Sequence, residues 1–117
     1  MSNAVKVTTR YYSTRQEKSI EKSTGAKRTP NSGAGQWVKG DLLSKHVLIE
    51  AKTTMSEKQS FSIQKKWLEK MKEEAFAMGK SYSALAFNYG DGVNYYVINE
   101  KLFKLLLEVL DKEDDLK

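Results

Sequence analysis

Trp37-Val38-Lys39-Gly40-Asp41-Leu42-Leu43-Ser44-Lys45-His46-Val47-Leu48-Ile49-Glu50-Ala51-Lys52 is the stretch on which the fold turns. Val47 to Lys52 is rich in β-branched and aliphatic residues, which predicts a strand. Side chains alternate faces in a strand, so Leu48, Glu50 and Lys52 share one face and Val47, Ile49 and Ala51 the other. A carboxylate and an ammonium in an otherwise apolar segment are expensive to bury without a purpose. Leu42-Leu43 and Val47-Leu48 flank a short polar tip, Ser44-Lys45-His46, which predicts a hairpin without the Asn-Gly or Asp-Gly of the strongest turn signals. A two-residue turn at Ser44-Lys45 would set Asp41 opposite Leu48, diagonal to Glu50 on the same face.

Two carboxylates and a lysine converging on one face have a chemical use. One or two carboxylates suit Mg²⁺, which keeps several waters and takes phosphate oxygens from a substrate. Such an ion lowers the pKa of a water and stabilises charge on a phosphoryl group. A neighbouring lysine can orient that water or stabilise developing charge. Spacing alone is equally consistent with a solvated hairpin and a chance salt bridge.

Beyond Lys52, a polar run reaches Ser60, and a helix is predicted over about 60–78. Ile63, Trp67, Leu68, Met71, Ala75 and Met78 recur at three- and four-residue spacing, and Gly79 ends the pattern. Lys70 and Lys72 fall on the solvated side. Tyr82–Tyr89 and Val93–Ile98 read as strands about Gly90-Asp91-Gly92, so Asp91 is a turn residue rather than a metal ligand. Tyr89, Tyr95 and Tyr96 could stack on bases, although strand tyrosines ordinarily pack. Asn99 caps a last helix whose Leu102, Phe103, Leu106, Leu107, Val109 and Leu110 predict a broad apolar surface, read as a cover for the sheet, with a dimer contact as the other use.

Before the hairpin, Thr14-Arg15-Gln16-Glu17 resembles a capping box, and a helix over about 15–24 ends at Gly25. Ala26–Thr29 is a short strand, followed by the small, turn-forming loop Pro30-Asn31-Ser32-Gly33-Ala34-Gly35. Its backbone could cradle a phosphate, but no Gly-Lys-Ser/Thr follows, so it is no P-loop. Residues 1–13 are read as an N-terminal arm or dimer contact, 14–110 as the domain and 111–117 as an acidic tail. The string is α-β-β-β-α-β-β with a closing helix, an α/β class with a mixed sheet.

The length of 117 residues fits one core. With no cysteine there is neither a disulfide framework nor a thiolate metal site, and the single histidine, His46, excludes a multi-histidine metal site and a serine-type triad. The net charge is +5; the tail from Asp111 carries −2, leaving +7 on residues 1–110 and favouring a polyanionic partner. No apolar run approaches bilayer length and the start lacks a signal-peptide core, so a cytoplasmic protein without a membrane partner is expected.

Asp41…Glu50-Ala51-Lys52 resembles the signature of the PD-(D/E)XK nuclease superfamily, with Gly40 where many members have proline. Gly25 to Ala34 resembles the loop of Holliday junction resolvase-like members, especially those of phages, and the likeness spans roughly residues 17–98. The resemblance implies a restriction-endonuclease-like αβββαβ core and Mg²⁺-dependent hydrolysis of DNA, with Mn²⁺ substituting, in a bacterial or phage-infected cell. It implies Asp41, Glu50 and the Ala51 carbonyl as metal ligands, Lys52 on the attacking water, and Glu17 and Gln64 completing the site, with Glu21 one turn from Glu17 as its competitor. It also implies DNA contacts at Lys27, Arg28, Ser32, Lys39 and Thr54, branched DNA as partner, and a homodimer. The other readings are a nicking or end-processing nuclease with the same site, an inactive DNA-binding module, and a purely structural protein.

Overall fold

A computed structural model describes residues 9–29 and 41–115. Helix α1 (Thr9–Thr24) leads into β1 (Lys27–Arg28), β2 (Asp41–Leu43) and β3 (Val47–Ala51). Helix α2 (Lys65–Ala77), β4 (Tyr82–Phe87), β5 (Tyr95–Val97) and α3 (Glu100–Asp115) follow. The order α-βββ-α-ββ-α is the one read from the sequence, and the class is α/β. The five strands lie in sequence order in one mixed sheet. Strands β3 and β4 are parallel, with α2 as the crossover that parallel neighbours need, and every other pair is antiparallel.

Alternation along the strands makes two thin cores. Leu42, Ile49, Ala84 and Ala86 face α1, where Ile20 is fully buried among them. Leu48 and Leu85 face the other way, against Met71 and Ala75 of α2, with Trp67 and Leu68 at the margin. Helix α1 ends where Gly25 takes φ +82° and the Thr24 hydroxyl turns back to the Ile20 carbonyl at 2.7 Å. Helix α2 ends in a Schellman motif: Lys80 N–H donates to Ala75 O, Gly79 N–H to Phe76 O, and Gly79 holds φ +74°. Asn99 caps α3, its Oδ1 accepting from Leu102 N–H at 3.0 Å.

Four expectations change. The β2–β3 turn is Lys45-His46, because Ser44 N–H donates to Val47 O and Leu43 pairs with Leu48; Asp41 is therefore directly opposite Glu50 rather than diagonal to it. Helix α1 begins at Thr9, taking in Tyr11 and Tyr12. Helix α2 begins at Lys65 rather than near residue 60, because the half-buried Phe61 and Ile63 pack in non-helical chain, the Phe61 ring stacking on Phe87 at 4.8 Å. Strands β4 and β5 stop short of the Gly-Asp-Gly turn. Asn88 O accepts from the Thr54 hydroxyl and Tyr89 O from Lys58 N–H, so residues 54–58 take the groups a longer ladder would use.

That crossing explains one glycine. At Gly90, φ is +91° and an added Cβ would lie 2.5 Å from the Ser56 carbonyl oxygen; at Gly92, φ is +83° but the space is open. Gly90→Ala is expected to cost about 2–3 kcal/mol, and Gly92→Ala about 1 kcal/mol from the backbone alone. Urea midpoints at equal m-value check this; equal losses would mean the backbone contact with Ser56 is unimportant.

Candidate active site

Asp41 opens β2, and Glu50 lies across from it on β3. Directly opposed residues share a face, and alternation from Leu48 puts that face toward α2. Lys52 follows β3, its N–H held by Ala86 O at 2.8 Å so that the strand's direction continues through it. Its Nζ is 3.5 Å from Glu50 Oε1 and 4.4 Å from the centre of the Trp67 ring. An ion pair on one side and a π-face on the other hold the ammonium in place. Both partners are largely covered, with side-chain exposures of 30 % for Lys52 and 16 % for Glu50.

Glu74, outside the residues that the sequence motif points to, lies close enough to Glu50 to feel its charge. Burial pushes its carboxyl pKa above the usual 4.5, and the neighbouring Glu50 charge pushes it further, while Lys70 and Lys52 pull it back. Its Oε1 is buried without a hydrogen-bond partner. The signal was present: residue 74 is three beyond Met71 and seven beyond Trp67, an acid on the apolar stripe of α2. Lys70, assigned to the solvated side, is exposed, yet its charge reaches Glu74.

The other expected site residues are distributed differently. Ala51 turns its methyl to the α1 core, leaving its carbonyl as the group available for the role expected of it. Glu17 is half-buried on α1, whose core contacts are with the sheet face opposite Glu50. Glu21 is accounted for: its carboxylate accepts from Arg28 N–H at 3.0 Å and pairs with Arg28 Nε at 3.3 Å. The backbone hydrogen bond from Arg28 is the main reason its pKa is lowered. Gln64 is exposed at the N-cap of α2, with no side-chain capping bond. Lys27 and Arg28 are exposed on edge strand β1, with the Arg28 guanidinium held by Glu21. Thr54 is a correction: it is buried and its hydroxyl donates to Asn88 O at 2.8 Å, so it braces a turn instead of facing DNA. Ser32 and Lys39 lie outside the described residues.

Gln16 is likewise outside that motif. It is buried behind the sheet, where its Oε1 accepts from the Thr53 hydroxyl at 3.2 Å and its Nε2 reaches Ala86 O at 3.5 Å. It thus ties α1 to the strand ends from which Lys52 emerges. Tyr89 and Tyr95, considered as base-stacking groups, pack on Phe87 with ring centroids 5.5 and 5.8 Å away.

Asp41 and Glu50 form a pair of hard oxygen donors of the kind Mg²⁺ accepts. Among the described residues no group of three His, Cys, Asp or Glu side chains could hold an ion. Two carboxylates alone leave most of the coordination of such an ion to water and other oxygen donors. Comparison with protein-family models, curated proteins and solved structures found no match.

A raised carboxyl pKa has a definite stability signature. The folded chain binds the Glu74 proton more tightly than the unfolded chain, so this contribution to stability is greatest below pH 4.5 and is lost as pH rises through the folded pKa. Glu74→Gln should therefore raise stability at pH 7, with the advantage shrinking as the pH falls toward 4. Paired denaturation curves at the two pH values measure this; a pH-independent difference would show that the Glu74 charge is not the cause.

Proposed function

We propose that this chain is a metal-dependent endodeoxyribonuclease with a restriction-endonuclease-like core, related in design to Holliday junction resolvases. The reading rests on one observation above the rest: Asp41 stands directly opposite Glu50, and Lys52 is ion-paired to Glu50 beside it. The α-βββ-α-β order and the exposed basic edge at Lys27 and Arg28 agree with it.

Asp41 and Glu50 would hold Mg²⁺ or Mn²⁺, with the Ala51 carbonyl assisting. When bound, the ion supplies an acidified water and neutralises charge on the phosphodiester. Lys52 acts on what is not metal. Its ammonium, set by Glu50 and the Trp67 face, orients the attacking water and stabilises the charge gathering on the non-bridging phosphate oxygens. Water oxygen forms the new bond to phosphorus and gives up a proton to solvent, the P–O bond to the leaving sugar breaks, and the leaving oxygen takes a proton from solvent. Glu74 adds a negative charge that its setting resists, so a cation near Glu50 relieves it. Gln64, at the start of α2, and Glu17, on the helix packed against the other face, are expected to complete the site on the resemblance alone. A net charge of +5 draws the polyanion in.

Incubation with linear duplex, flap and four-way junction DNA, with Mg²⁺ or EDTA, tests the assignment. Cleavage should require the metal, and a junction preference would select the resolvase form. Binding without cleavage would leave a DNA-binding module; neither would leave a structural protein. Asp41→Asn and Glu50→Gln should each lower turnover about 100-fold or more while DNA binding stays intact or tightens, since each acid repels phosphate without an ion. A tenth of wild-type turnover in both variants would remove these residues from the site. Lys52→Ala should keep metal affinity, read by calorimetry, and lose about 100-fold in turnover. Lost metal affinity with normal cleavage would reverse the assigned role.

A further inference from the structure

Helix α3 was expected to cover the sheet, and it does not. Leu102 alone of its apolar residues is buried. Leu105, Leu106, Leu107, Phe103, Val109 and Leu110 are exposed, from 38 % at Leu105 to 58 % at Leu110. Among the described residues the helix forms no extended packing with another helix or strand. Its contacts with the body gather at its start, where Lys101 lies 5.8 Å from the Tyr82 ring and an open groove of about 390 Å³ runs beside Lys104 and Glu108.

The free surface has a definite pattern. Phe103, Leu106, Leu107 and Leu110 stand at i, i+3, i+4 and i+7, the stripe by which one helix packs on another. Exposed side chains of this size amount to several hundred Å², on the order of the largest apolar patches that monomers carry, about 300–600 Å². We infer that α3 is the interface of a two-fold homodimer, in which the Phe103/Leu106/Leu107/Leu110 stripe of one copy packs antiparallel on the same stripe of a second.

Charge selects both the occupant and its direction. The half of α3 from Glu108 to Asp115 holds five acids against Lys112, a net −4, whereas the half before it holds Glu100 against Lys101 and Lys104. Parallel pairing would set two −4 segments side by side. Antiparallel pairing moves their midpoints apart by roughly 15 Å along the helix, about twice the Debye length of about 8 Å in physiological salt. It also sets Phe103 opposite Leu110 and Leu106 opposite Leu107, and brings Lys104 of one helix to the edge carrying Asp111 of the other. A self-complementary patch closes on itself as a dimer, whereas pairing with a different patch would propagate. The inferred dimer would give the proposed resolvase two sites, but it rests on α3 alone.

Sedimentation equilibrium of the full chain across the micromolar range should show a dimer. Leu106→Glu combined with Leu110→Glu should give a monomer with unchanged helical signal and thermal midpoint for the body, because neither side chain enters the core. If that variant fails to fold, Lys104→Glu carries the test. It should raise the dimer dissociation constant about fivefold, with the effect fading in high salt and reversed by adding Asp111→Lys. A wild-type monomer at every concentration, or an undiminished dimer in the double leucine variant, overturns the interface. Lys104→Glu without effect overturns its antiparallel direction. A monomer that cuts DNA would end the pairing and spare the nuclease; a dimer that cuts nothing would do the reverse.

Discussion

The pairing of β2 with β3 is the constraint on which the rest depends. Leu42 opposite Ile49 faces α1, and Leu43 opposite Leu48 faces α2. A slip of one residue would send each apolar side chain to the wrong layer, so burial fixes the register. With four apolar residues fixed, the next opposed pair is Asp41 and Glu50, with no freedom left to separate them. Folding thus forces two acids together, and the electrostatic expense falls on the α2 face.

Part of the local compensation comes from Lys52. Lys52 is two residues beyond Glu50 and so on the same face, within 3.5 Å of it. Trp67 covers the ammonium from α2, which keeps the lysine beside the acids instead of in bulk solvent. Glu74, one helical step farther along, pushes the balance back toward excess negative charge. An arrangement selected for stability alone would place an apolar residue at 74, as the rest of that stripe does. An acid there is what a site poised for a cation would retain, and the proposed nuclease chemistry uses it.

Legibility followed from how local each determinant was. The element order, the faces of Glu50 and Lys52 and the helix ends at Gly25 and Gly79 were readable, because periodicity and φ preference act within a few residues. The turn was misplaced by one residue, since Ser44 bonds to Val47 through backbone groups that side-chain identity barely influences. Phe61 and Ile63 fit a helical stripe and a non-helical packed segment equally, and Phe87, distant in sequence, made the choice. Thr54 carries a hydroxyl suited to DNA or to a carbonyl, and the Asn88 turn claims it. Glu74 is an acid set within an apolar stripe, where the periodicity of Trp67, Met71 and Ala75 hides it.

The same distinction between local and distant determinants bears on α3. Its apolar content follows from the sequence, but what an apolar face covers depends on where the chain directs the helix. Strand β5 ends at Val97 and Asn99 caps the helix only two residues later, so α3 leaves the sheet's edge with little chain in which to turn back. Leu102, within its first turn, is buried against the body and the later leucines are exposed. A short connection therefore turns a helix patterned for burial into a projecting one. The face that α2 satisfies inside the molecule, through Met71 and Ala75, α3 leaves exposed.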